Sequence, residues 1–209
     1  CVGYWLKLGS GGDYSLTGTP IDQCSPALPA SWSLVGVPQN GTRVDDISQN
    51  PAANLASVFG FAGGYTPRSG QDLLQQGQGF WFHLGTPGQV TLNSDPGSAA
   101  RTVGDAGSQT QNSEAPGPAL WIQSEQGRQE IRLGVEASHM TALPPLPPEG
   151  VLDARVQIGD VFSRQVPRTD GAVHYPLLVQ GGKVTLRWRI PAQDSDRWVL
   201  RTAQGDVPL

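Results

Sequence analysis

The chain has 209 residues, 15% of them charged, and a formal net charge of −4 at pH 7. This acidic balance, without any basic run, excludes nucleic acid as a partner, because phosphate binding needs clustered Lys and Arg. No stretch approaches the ~18 apolar residues that a membrane-spanning helix requires, so no transmembrane segment is predicted. With Gly 27 and Pro 18, the composition favours short strands joined by turns, and an all-β fold of two tandem β-rich domains is predicted.

The two cysteines, Cys1 and Cys24, both lie near the start of the sequence. In an oxidising compartment a disulfide between them would close the first predicted hairpin. Two alternatives stay open: two unrelated thiols, or Cys1 as the acylated first residue of a lipoprotein. The lipoprotein is the less favoured of these, because such a residue usually precedes a flexible tether, and here a strand is predicted almost at once.

A short motif occurs twice, as GYWLKLG at 3–9 and as GFWFHLG at 79–85. Both copies alternate apolar and other residues, then reach a glycine-containing turn and a second alternating run, which predicts a β-hairpin in each place. A motif that returns with the same order of residue types indicates tandem modules. Residues 1–30 are therefore predicted to be the closing hairpin of a partial repeat packed on the next module, and 31–96 a complete β-repeat module.

Within the complete module, SWSLVGVP at 31–38 predicts a buried strand that ends at a proline, since proline cannot donate to a strand ladder. Asn50 and Pro51 are typical of an N-cap and a first helical position, and the apolar residues up to Val58 complete the pattern of one short helix. This is the only helix that the sequence predicts.

Residues 97–114 are small and polar, which predicts a linker, and 115–209 are predicted to form an antiparallel β-sandwich. Its first two strands pair around Gln126-Gly127, and alternating runs predict further strands near 151–156, 175–179, 184–189 and 197–201. The proline-rich stretch at 143–148 must be extended. It is interpreted as a crossing over one edge of the sandwich, with a ligand for aromatic grooves as the alternative.

These motifs resemble a known class of bacterial repeat. The two hairpin motifs, with SWSLVGVP and SVFGFAGGY, look like the tandem GWNLVGVP/GYW modules of large secreted cell-surface proteins in Bacteroidetes, Chlorobi and Rhodothermus-like lineages. The stretches LWIQSEQGRQEIRLGVEA, LPPLPPEGVLDARV and YPLLVQGGKVTLRW resemble the β-domain that accompanies such modules. The resemblance implies an exported, cell-surface or envelope-associated segment of a longer polypeptide.

Motifs for catalysis or metal binding are absent from the sequence. His83, His139 and His174 have no cysteine or histidine partner at metal-ligand spacing, and no nucleophile motif occurs, so no enzyme activity and no cofactor are predicted. Acidic turns could supply oxygen ligands to calcium, but none has the spacing of a known loop and solvated turns are favoured; the residues are Asp45, Asp46, Asp153, Asp160, Asp194 and Asp196.

The six tryptophans all fall in predicted strands and are interpreted as core residues rather than as a stacking platform for sugars; they are Trp5, Trp32, Trp81, Trp121, Trp188 and Trp198. Neighbouring strand residues face opposite ways, so in each hairpin either the tryptophan or the pair that flanks it points away from the core. The flanking pairs are the predicted interaction surface, formed by Tyr4, Leu6, Phe80 and Phe82.

The function predicted from these features is a non-catalytic structural or adhesive segment of an exported bacterial envelope or cell-surface protein, as an accessory subunit of a larger assembly. Its expected partners are proteins, either adjacent modules or other envelope subunits. The alternative is a carbohydrate-binding module of a secreted hydrolase with glycans as ligands, for which a coplanar row of exposed aromatic rings is the distinguishing feature.

Overall fold

A computed structural model describes residues 1–5, 17–95, 117–194, 198–203 and 205–209, apart from the side chains of Asp206 and Pro208. The described chain consists of strands, turns and 3₁₀ turns of three residues, which confirms the all-β fold class. It divides into two compact units, 1–108 and 109–209. Most of the predicted first hairpin and the predicted linker at 97–114 lie outside the described residues.

The described residues of the first unit form ten strands. They are β1 (Gln23–Cys24), β2 (Ala27–Leu28), β3 (Ser31–Gly36), β4 (Thr42–Arg43), β5 (Ser48–Asn50), β6 (Leu55–Phe61), β7 (Tyr65–Arg68), β8 (Leu73–Leu74), β9 (Gly79–Leu84) and β10 (Gly88–Asn93), with a 3₁₀ turn at Val44–Asp46. The main sheet is antiparallel with the order β3-β9-β6-β7. Strand β10 pairs antiparallel with β1, β2 and β5, and β4 pairs with β8.

The core of this unit follows from strict alternation along β9. Phe80, Phe82 and Leu84 are at most 1% exposed and pack with apolar residues of the neighbouring strands. Trp81 and His83, which alternate with them, lie on the opposite face of the sheet. The predicted strand at the end of the module is thus present, and its buried side is the phenylalanine side.

The predicted short helix is wrong. Asn50 ends β5, the next residues form a turn with Ala53 at φ 55°, and Leu55 already begins β6. Two side chains fix this path, because Gln49 Oε1 accepts a hydrogen bond from Leu55 N at 2.5 Å and Asn54 binds Thr86 through both ends of its amide. Pairing of β6 with β9 outweighs the local capping pattern, because propensity is a weak guide when tertiary partners compete.

In the part of the second unit that the structure describes there are nine strands. They are β11 (Ala119–Ser124), β12 (Gly127–Val135), β13 (Asp153–Ile158), β14 (Val161–Ser163), β15 (Gln165–Pro167), β16 (Leu177–Gln180), β17 (Thr185–Arg189), β18 (Val199–Thr202) and β19 (Gly205–Pro208), with 3₁₀ turns at Ala137–His139 and Ala192–Asp194. The larger sheet has the order β15-β12-β11-β17, and a smaller one the order β14-β13-β16. The predicted β11–β12 hairpin is confirmed, whereas β12 and β15 pair in parallel rather than antiparallel.

The two sheets share one apolar cluster, to which the larger contributes Ile122 and Ile131 and the smaller Ala154 and Val156. One polar side chain reaches from the larger sheet to the backbone of the smaller sheet. The buried Gln129 donates to Leu152 O at 2.8 Å and accepts from Ala154 N at 2.7 Å, so its amide is satisfied at both ends. Burial of such a group is tolerated because it is fully hydrogen-bonded.

The proline-rich stretch runs beside the face of β13 that points away from this cluster. There Asp153 and Arg155, each 1% exposed, form an ion pair at 2.5 Å. Arg155 Nη1 also donates to Pro144 O at 2.7 Å, and Arg164 binds the other oxygen of Asp153 at 3.2 Å. Asp153 is therefore part of a buried ion-pair network rather than of a solvated turn.

Candidate functional site

The outer face of the main sheet in the first unit carries most of that unit's aromatic side chains. Strand register places Trp32 opposite His83, Trp81 between Leu34 and Phe59, and Phe61 opposite Tyr65. Cross-strand partners share a face of the sheet. We call this set the aromatic face, and define it by Trp32, Phe59, Phe61, Tyr65, Trp81 and His83.

Four rings of the aromatic face, those of Trp32, Phe59, Phe61 and Tyr65, pack against one another edge to face. Phe59 meets Trp32 at 5.8 Å and 70°, and Tyr65 meets Phe61 at 5.2 Å and 72°. This is the arrangement that the ring quadrupole favours. Its consequence is that Phe59 and Tyr65 are buried by their neighbours, at 3% and 4% exposure.

The N-terminal segment lies against this face. Val2 forms a β-bridge with Val35, and Gly3 N donates to Leu34 O at 3.0 Å. Trp5 then packs on Phe61 with ring centroids 5.1 Å apart at 82°. A disulfide joins Cys1 to Cys24, at the end of β1, so the segment is covalently tied to the unit on which it packs.

The glycines of the repeated motif have a common neighbour in Leu34. A Cβ on Gly3 would lie 2.7 Å from Leu34 Cγ, and a Cβ on Gly79 would lie 3.3 Å from Leu34 Cδ1. Any larger residue at Gly3 would push the segment off the sheet. The glycine that begins each copy of the motif therefore permits close approach of its backbone to this leucine.

Between the N-terminal segment and the sheet lies a shallow cleft of about 140 Å³, lined among others by Trp5, Phe61, Gln78 and Trp81. The Nε1 of Trp81 is buried and has no hydrogen-bond partner among the described residues. A buried donor without an acceptor costs free energy, so a group that brings an acceptor here would be favoured.

The structure corrects two predictions about these residues. Phe80 and Phe82, predicted as an interaction surface, are core residues at 1% and 0% exposure, because they occupy the inward positions of β9. Of the other two predicted residues, Tyr4 is 80% exposed and Leu6 lies outside the described residues. No tryptophan is fully buried, although Trp198 packs against the core of the second unit: Trp5 and Trp188 are 43% and 40% exposed, and the other four are half-buried.

The three histidines differ in their surroundings. His83 stacks on Trp32 with ring centroids 4.7 Å apart, and burial lowers the pKa of His83 below its usual 6.5. His139 and His174 are exposed. Among the described residues no group of three His, Cys, Asp or Glu side chains is placed to hold a metal ion.

Comparison with known proteins finds no match: no family model, no curated protein and no solved structure matches this chain. None of the helices in the described part of the chain has the length and apolar character needed to cross a membrane. The aromatic face itself was not found from the sequence, because its members come from four strands whose register only the fold defines.

Proposed function

We propose that this chain is a non-catalytic structural and adhesive segment of an exported cell-surface protein, in which aromatic sheet faces join successive modules. The observation that carries the proposal is the packing of Trp5, from the first copy of the repeated motif, on Phe61 of the second module. The partner of such a face is an adjacent module or another envelope subunit. The Cys1–Cys24 disulfide supports export, because disulfides persist mainly in oxidising compartments.

Sugar binding by the aromatic face is the weaker candidate. Stacking of sugars needs rings presented side by side in one plane, but the pairs that Phe59 and Phe61 form on this face meet at 70° to 88°, and Trp32 and His83 are tilted by 40°. Two of the rings are also buried by their neighbours. Because its rings pack on one another, the aromatic face forms a second small apolar cluster. Such a cluster is what a contact between two modules requires.

The test is a double-mutant cycle on the full chain with Trp5→Ala and Phe61→Ala. We expect Trp5→Ala to lower the free energy of unfolding of the first unit by about 1 to 2 kcal/mol, and the two sites to couple by about 0.5 to 1.5 kcal/mol. Tyr4→Ala is the matched control, because Tyr4 is exposed, and it should stay within about 0.5 kcal/mol of the parent. Urea unfolding followed by tryptophan fluorescence measures all four variants.

The proposed contact between modules would be contradicted if the effects of Trp5→Ala and Phe61→Ala were additive. It would also be contradicted if the Trp5→Ala variant were as stable as Tyr4→Ala. In that event the N-terminal segment would be held by its disulfide and backbone hydrogen bonds alone. The cycle separates these cases because neither substitution touches Cys1, Cys24 or the Gly3–Leu34 hydrogen bond.

A further inference from the structure

A second sheet face, in the second unit, has a very different composition. Strand register places Trp121 between Glu130 and Arg187, and Ala119 between Arg132 and Arg189. Arg128 lies two residues along β12 from Glu130, on the same face. We call this set the arginine face, and define it by Arg128, Arg132, Arg187 and Arg189 around Trp121, with Glu130.

Contacts with the indole hold this face in place. The guanidinium carbons of Arg128 and Arg189 lie 4.8 Å and 5.4 Å from the centroid of the Trp121 ring. Trp121 Nε1 donates to Glu130 Oε2 at 3.2 Å, and Glu130 Oε1 accepts from Arg132 Nε at 3.1 Å. Cation–π stacking therefore fixes two arginines before any ligand arrives, which lowers the ordering cost of binding.

The charge of the arginine face is opposite to that of the whole chain. Among the described residues this face carries four arginines and one carboxylate, whereas the complete sequence has a net charge of −4. Arg128 and Arg187 are exposed, and neither forms an ion pair with another described residue. Like charges on β12 and β17 repel one another along each strand and across β11, so an anion that lies across these strands would be bound favourably.

Strand geometry sets the spacing that a ligand must match. Arg132 and Arg189 are two strands apart, roughly 10 Å, and Arg187 and Arg189 are two residues apart along β17, roughly 7 Å. One small anion would reach a single arginine. A polymer with repeated anionic groups can engage several arginines at once, and several weak contacts on one chain add up to useful affinity.

We propose that the arginine face binds a linear acidic polysaccharide. Guanidinium forks donate paired hydrogen bonds to carboxylate or sulfate groups, and the face of the sheet can hold an extended chain. Nucleic acid fits less well, because single-stranded binding needs aromatic faces free for base stacking and Trp121 already stacks with two guanidinium groups. The proposal uses residues of the second unit only, so it does not depend on the module-joining role of the aromatic face.

The experiment measures binding of the full chain to four immobilised polymers by biolayer interferometry at about 20 mM salt and again at ~0.3 M salt. The polymers are polygalacturonate, which carries carboxylates, chondroitin sulfate, which adds sulfates, neutral dextran, and single-stranded DNA. We expect binding to one or both acidic polysaccharides that weakens with salt, and none to dextran. The ratio between the two acidic polymers identifies the preferred anion.

Variants locate the site. Arg187→Gln and Arg128→Gln should each weaken polysaccharide binding by about tenfold. Arg168→Gln is the matched control, since Arg168 is an exposed arginine of the same unit beyond the end of β15, and it should leave binding unchanged. Glu130→Gln keeps an oxygen acceptor while removing the carboxylate charge, so it should tighten binding, a gain that misfolding cannot produce.

Four results would overturn the proposal. They are no binding to either acidic polysaccharide at low salt, equal losses in Arg187→Gln and Arg168→Gln, DNA binding as strong as polysaccharide binding, and unchanged or weaker binding by Glu130→Gln. Self-association of the chain that Arg187→Gln abolishes would also overturn it, since the face would then belong to a second copy. Failure of this experiment leaves the Trp5–Phe61 coupling untouched.

Discussion

The aromatic face of the first unit and the arginine face of the second are both outer faces of β-sheets. Side chains of the aromatic face cover one another, whereas the arginine face leaves two of its arginines exposed to solvent. On the aromatic face the rings pack on one another, and Trp5 of the N-terminal segment packs on Phe61 at 5.1 Å. On the arginine face one indole is surrounded by cations, two of which are exposed. Both faces contain tryptophan, so tryptophan alone does not indicate which kind of surface a strand will present.

The difference comes from the neighbours of each tryptophan. Aromatic neighbours attract one another and exclude water, so the set closes and stabilises the fold. Guanidinium neighbours repel one another and keep their hydration, so the set stays accessible and contributes little to stability. A sheet face therefore acts as a joint or as a binding surface according to the residues that register brings beside its tryptophan.

The largest expected effect distinguishes a buried charged side chain of the second unit from a charged side chain on its arginine face. Asp153→Asn leaves Arg155 and Arg164 without their carboxylate in a buried site, so it should lower the free energy of unfolding by about 3 to 5 kcal/mol. Glu130→Gln, on the open face, should change it by less than about 0.5 kcal/mol. Urea unfolding of both variants measures the contrast. Equal effects would mean that the arginine face is part of the structural framework.

The next effect separates the core from the aromatic face within one strand. Phe80→Ala should cost about 3 to 5 kcal/mol, because it opens a cavity in the core. Trp81→Ala should cost only about 1 to 2 kcal/mol, and Trp81→Phe less still, because Phe also removes the buried N–H that has no partner among the described residues. Thermal unfolding of the three variants gives the order. If Trp81→Ala lowers the free energy of unfolding as much as Phe80→Ala does, the aromatic face contributes as much to stability as the core.

The smallest expected effect is a pH dependence of the aromatic face. Because burial lowers the pKa of His83, the unfolded chain binds a proton at this residue more readily than the folded chain does. The stability that neutral His83 contributes is present above pH 6.5 and falls as the pH drops through the folded-state pKa. His83→Phe should flatten the change of unfolding midpoint between about pH 7 and pH 5, whereas His139→Phe should not. Parallel curves for the parent and His83→Phe would exclude His83 as the source.

Alternation in the sequence predicted much of the fold, including the β11–β12 hairpin and the strand that contains Phe80. Local signals failed where a distant strand decided the outcome. Asn50 and Pro51 fit a helix start, but the segment that follows pairs with β9 from Leu55 to Phe59 instead. Similarly, the position of all six tryptophans in predicted strands indicated burial, yet the inward positions of β9 belong to the phenylalanines. Alternation shows that two faces differ without showing which of them meets the core.

By itself the sequence determined the all-β class, the positions of strands such as β3, β9, β11 and β12, and the repeated glycine–aromatic–tryptophan motif, because these depend on turn residues and on a period of two. Only the tertiary structure decided that Trp5 lies on Phe61, that Asp153 is buried with Arg155, and that four arginines surround Trp121. Each of these relations joins residues through strand register or through a segment laid across a sheet. Register is fixed by the packing of whole faces, which no single stretch of sequence contains.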